Sequence, residues 1–106
     1  MQEIQTRSRQ LQKELAGALE RLHFDELLAQ KQLLDSKTEA PGFWDNPQAA
    51  QEVAKQQAKL ERRIAPWQKL QESVDEVLEF SELGDNSMAE DLNVQLAQAE
   101  QQFTDL

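Results

Sequence analysis

Two prolines, a glycine and two aromatics crowd into Glu39-Ala40-Pro41-Gly42-Phe43-Trp44-Asp45-Asn46-Pro47, in a chain that elsewhere is almost all helix formers. Proline has no amide to donate and glycine loses the most backbone entropy in a helix, so Pro41 and Gly42 end whatever helix precedes them. Asn46-Pro47 reads as the start of the next helix, because asparagine accepts from free amides and proline fits the first helical position. Phe43 and Trp44, between stop and start, are too apolar to be left in water. The expectation is a corner closed by an aromatic plug. Stacking of the pair on a base or a peptide is the alternative use of the same side chains.

The residues on either side set the architecture. Ile4, Leu11, Leu15, Leu19 and Leu22 recur at helical steps and predict a first helix from about Glu3 to Leu22, weakened at Gly17. The pattern hesitates at His23-Phe24. Asp25 is placed to cap a second helix running to about Thr38, with Leu27, Leu28 and Leu34 on its apolar face and Leu33 at the edge. Ala50, Val53, Leu60, Ile64, Trp67, Val74 and Leu78, with Gln57 and Gln71 between them, are spaced like a coiled-coil seam and predict one long helix over 47–82. Pro66 lies inside it and predicts a bend, not an end. Gly84-Asp85-Asn86 marks a turn, and Ser87-Met88-Ala89-Glu90 fits a capping box. Met88, Leu92, Leu96, Ala99, Phe103 and Leu106 then stripe a final helix. The expected fold is all-α: an elongated antiparallel bundle of three or four helices, one of them long, forming a single domain over 1–106.

Composition agrees. Three glycines, three prolines and no tyrosine leave little material for a sheet. The absence of cysteine excludes a disulfide framework and thiolate metal sites. The first ten residues lack the apolar core of a signal peptide, and no run is long and apolar enough for a membrane span, so a cytoplasmic location is expected.

Charge is unevenly distributed. Residues 1–69 hold eleven Lys/Arg against ten Asp/Glu, or +1, whereas 70–106 hold ten Asp/Glu and no cation, or -10; together they give the net -9. Such a surface repels phosphate backbones, so direct nucleic-acid binding is expected to be minor at most. Glu72, Asp75, Glu76, Glu79, Glu82 and Asp85 form an acidic region that either keeps the domain solvated or docks onto a basic protein partner. Lys55, Lys59, Arg62, Arg63 and Lys69 form a basic segment without interleaved aromatics, which reads as a flank.

Catalytic chemistry is not apparent. His23 is the single histidine and has no second ligand to share a metal. Ser8, Ser36, Ser73, Ser81 and Ser87 have no base-plus-orienter set, and three scattered glycines build no phosphate loop. No enzyme activity and no cofactor are expected of this chain.

The corner Pro41-Gly42-Phe43-Trp44-Asp45-Asn46-Pro47, the Gln48-Ala49-Ala50 that follows, the Ala65-Pro66-Trp67 element, Leu60 and the acidic stretch from Glu72 to Glu82 together resemble the N-terminal helical domain of bacterial class I peptide chain release factors, the second type in particular. The resemblance covers essentially the whole chain. It implies a protein that recognises stop codons, UAA and UGA for the second type, and promotes hydrolysis of peptidyl-tRNA. The family's Ser-Pro-Phe decoding tripeptide and Gly-Gly-Gln catalytic loop are absent here, so no catalytic residue carries over. What the resemblance leaves is the accessory domain: a strut and contact module near the ribosomal stalk base, with the ribosome and the GTPase that recycles release factors as implied partners. A free-standing coiled-coil interaction module and a release-factor-derived regulator are the alternatives. Ser-Pro-Phe and Gly-Gly-Gln downstream in the reading frame would favour the first reading, and a stop codon after Leu106 the other two.

Overall fold

The computed structural model describes all 106 residues and is all-α. Its helices are α1 (Gln2–Arg21), α2 (Phe24–Thr38), α3 (Pro47–Glu82) and α4 (Ala89–Asp105), with 3-10 turns at Phe43–Asp45 and Asn86–Met88. The 36 residues of α3 run through Pro66 without a break in the helix. The missing amide there leaves the Arg62 carbonyl without its helical donor, a local loss that the turns on either side absorb. The chain forms two compact units, Met1–Leu19 with Trp67–Leu106, and Glu20–Pro66.

In the first unit, α1, the second half of α3 and α4 share one core. Ile4, Leu11 and Leu15 meet Leu70, Val74 and Val77, and Leu92, Leu96 and Ala99 complete the cluster. Trp67 and Phe103 lie edge to face across it, ring centroids 6.5 Å apart. Cross-helix hydrogen bonds set the pairing as antiparallel: Gln5 Nε2 donates to the Ser81 carbonyl at 2.9 Å and Gln12 Nε2 to Asp75 Oδ1 at 3.0 Å. The Ser81 carbonyl also accepts from the Gly84 amide at 3.2 Å, so the Gln5 bond is its second. Ser8 sits in the buried row of α1, fully enclosed, because its hydroxyl donates to the Ile4 carbonyl at 2.7 Å.

In the second unit, α2 pairs antiparallel with the first half of α3. Lys31 Nζ lies 2.8 Å from Glu61, and Gln57 Nε2 donates to Asp35 Oδ1 at 2.9 Å. Phe24, Leu27 and Leu34 are buried on α2, and Ala50, Leu60 and Ile64 on α3.

Five expectations are corrected. The buried row of α3 passes through Leu70, Val77 and Ser81, while Gln71 and Leu78 are only half-buried. A strict seven-residue seam drifts on a 3.6-residue helix, and with two helices packed on this half the row centres between them. On α2, Phe24 is buried where Leu28 was expected, Leu28 standing 37% exposed, and on α1 Leu22 is exposed. Asp25 caps nothing: the break falls at His23, which holds a left-handed φ of 52° and precedes α2 without a side-chain cap. The expected capping box is also absent. Asp85 instead accepts from the Ser87 amide at 3.0 Å and the Ser87 hydroxyl at 2.6 Å, since a carboxylate outcompetes a hydroxyl as an acceptor.

Two stability measurements check these positions. In urea denaturation Leu70→Ala is expected to cost about 2–5 kcal/mol and Gln71→Ala no more than about 0.5 kcal/mol; equal costs would restore the strict seam. At the left-handed corner, His23→Val is expected to lower stability by about 1–2 kcal/mol, whereas His23→Gly leaves it unchanged or raises it.

Candidate functional site

The corner after α2 is built from turn chemistry. Thr38 Oγ1 donates to the Asp35 carbonyl at 2.7 Å as the helix frays, and the Glu39 and Ala40 amides fall back onto Ser36 and Lys37. The Phe43 amide then donates to the Ala40 carbonyl at 3.2 Å with Gly42 at φ 80°, ψ 0°, which is a type II turn with Pro41 at its second position. A Cβ on Gly42 would come no closer than 3.4 Å to Asp45, so glycine is required by the backbone angle and not by crowding. Asn46 caps α3 as expected, its Oδ1 accepting from the Ala49 amide at 3.2 Å, with Pro47 first in the helix.

The aromatic plug is only partly realised. Phe43 is half-buried on a turn that packs against α2, but Trp44 is 69% exposed. The two rings meet edge to face at 4.9 Å and 87°, so Phe43 is in contact with an indole that stays open to solvent. The structure overturns the core reading of Trp44 and leaves it as a large, oriented, unburied side chain of the kind that anchors interfaces.

The acidic region divides in two. Asp75 accepts from Gln12, Glu82 lies 3.9 Å from Arg9, and Asp85 holds the turn into α4. The Ser87 hydroxyl, then the Ser87 amide, hold the Asp85 carboxyl below the usual carboxylate range. Glu72, Glu76 and Glu79, spaced by four and three residues, make no ion pair and form an exposed ridge on the side of α3 away from its buried row.

Sequence separation hid one polar junction. Arg7 on α1 donates to Asn93 Oδ1 at 2.8 Å and pairs with Glu100 on α4, beside an open hollow of about 380 Å³ lined in part by Gln10, Glu14 and Phe103. The hydrogen bond to Glu100 raises the guanidinium's affinity for its proton further. No group of three or more His, Cys, Asp or Glu side chains is placed to hold a metal, and no helix is long and apolar enough to cross a membrane.

Comparison with known proteins decides the kinship. The PCRF domain family matches residues 27–106, which take in the whole corner, all of α3 and all of α4. The chain belongs to this family. It is 34% identical over 77 residues to peptide chain release factor 2 of a Caulobacter species, covering 69% of this chain and 21% of that protein. Peptide chain release factor 2 of Borreliella burgdorferi is 26% identical over 83 residues, 77% of this chain and 23% of that protein. The PCRF chain thus spans between a fifth and a quarter of the length of these curated relatives, and the resemblance to their N-terminal helical domain holds. No solved structure matches it. The kinship stands although Trp44 is not buried, because it rests on the whole of 27–106.

Denaturation separates the two readings of Trp44. Trp44→Ala is expected to cost about 1 kcal/mol or less, the worth of the edge-to-face contact, against about 3–5 kcal/mol for a true core tryptophan.

Proposed function

We propose that this PCRF chain is the accessory N-terminal domain of a release factor acting in translation termination at UAA and UGA codons. In this reading it is a strut and contact module near the ribosomal stalk, with the stalk-base proteins and the recycling GTPase as its partners, and it performs no chemistry of its own. The match of residues 27–106 to the PCRF family is the observation that carries the reading. Two surface features support a contact role. Trp44 stands oriented in solvent, and the ridge of Glu72, Glu76 and Glu79 is free of internal cations. An acidic ridge favours the basic faces of ribosomal proteins over ribosomal RNA, which yields orientation and faster encounter more than raw affinity. In this reading, neither stop-codon reading nor peptidyl-tRNA hydrolysis is a task of these residues.

The rival coiled-coil module loses its seam. Leu60, Ile64, Leu70, Val74 and Val77 are already buried within the chain, and Gln57 is bonded to Asp35, so little apolar row remains on α3 for a second copy.

Cosedimentation with ribosomes tests the contact role. The chain is expected to pellet with ribosomes in a salt-sensitive manner. Trp44→Ala, and separately the combined change of Glu72, Glu76 and Glu79 to Gln, should each lower the bound fraction severalfold. Absence of ribosome binding, or binding indifferent to both variants, sinks the reading.

A further inference from the structure

The α2–α3 pair has two flanks of opposite character. On one, Lys31 meets Glu61 and Gln57 meets Asp35, so every polar group named there has a partner from the facing helix. The other is an open groove of about 400 Å³, to which α2 contributes Leu33, Leu34 and Lys37, and α3 contributes Lys59, Leu60 and Arg63. Leu34 and Leu60 are buried beneath it, while Leu33 is 60% exposed on its wall. None of the three cations forms an ion pair. Asp35 and Glu61 are engaged on the opposite flank and no carboxylate lines the groove itself, so it has an apolar floor and a cationic rim, with Glu52 beside Gln56 at one end.

We propose that this groove is a docking site for an acidic amphipathic segment of a protein partner. A leucine-sized side chain covers Leu33, Leu34 and Leu60, and carboxylates meet Lys37, Lys59 and Arg63. Charge complementarity selects the occupant. Uncompensated cations on helical spacing fit the carboxylates of a short amphipathic helix laid along the groove. Arg63 adds a fork that engages a carboxylate through two hydrogen bonds. Apolar area exposed at Leu33 accounts for the rest, since it is removed from water only by an apolar side chain. Nucleic acid fits less well, because no aromatic lines the groove to stack on a base. Its lining includes neither Trp44 nor the glutamates at 72, 76 and 79, and the proposal holds whether or not the chain acts in termination.

Fluorescence anisotropy with the full chain tests it. The probe is a labelled helical peptide of about fourteen residues, leucine at successive helical steps and glutamate on the flanks. A peptide of the same composition in scrambled order and a uridine-rich single-stranded RNA serve as comparisons. The ordered peptide is expected to bind more tightly than either. Lys59→Glu with Arg63→Glu should raise its Kd about tenfold or more, and Leu33→Ala severalfold. Arg62→Glu and Lys55→Glu, outside the groove, should leave it within about twofold. These side chains are all exposed, so thermal melts of the variants should match the parent. Equal binding of the scrambled peptide, equal loss in Arg62→Glu, or tighter RNA binding with the same variant dependence each overturns the proposal. A groove already filled by a second copy, seen as self-association that Leu33→Ala abolishes, overturns it as well.

Discussion

Ile64, Leu70, Val74 and Val77 are completely closed off from solvent, and a helix buries such a row only where another element covers it. In one unit the cover is α2, in the other α1 and α4 together. At roughly 25 cal/mol per Å² of apolar surface, this row is the largest single source of stability that the helices share. Polar contacts then select the pairing. Gln57 on Asp35, Gln12 on Asp75 and Gln5 on the Ser81 carbonyl lie at the margins of the apolar row, where a shifted register would leave them unmade. Glutamine is abundant in this chain, and part of that abundance is explained by these contacts.

What was legible in the sequence follows from how local each cause is. The Asn46 cap, the stop at Pro41-Gly42 and the extent of α3 depend on neighbouring residues alone, and all are present. The row on α3 depends on partners distant in sequence, so periodicity located the stripe but displaced it by one residue at Leu70 and Val77. Asp85 won the cap from Ser87 because of relative acceptor strength, which pattern matching on the box ignores. Trp44 failed differently. Its apolarity was read as a demand for burial, yet Phe43 next to it offers an edge-to-face contact that steadies the indole without enclosing it. The pairing of Arg7 with Asn93 and Glu100 left no local signal at all.

Charge follows the same division. The first helix carries the cations that meet the acidic last third: Arg7 reaches Glu100 and Arg9 approaches Glu82. Both pairs are partly exposed and each contributes about 1 kcal/mol or less, so they offset like-charge repulsion more than they hold the unit together. Their number is small against ten carboxylates in 70–106, and the excess remains on the surface of α3 and α4.

Polar side chains of the domain are distributed by the same logic. They fall into two groups, those that fix helix pairing or turns and those that stand alone in solvent. Here the buried serines, Ser8 and Ser81, spend their hydroxyls on carbonyls of their own helices, and no buried side-chain polar atom is left without a partner. The side chains left uncommitted lie at the surface: Trp44 on its turn, the glutamates of α3 at 72, 76 and 79, and Leu33, Lys37, Lys59 and Arg63 between α2 and α3.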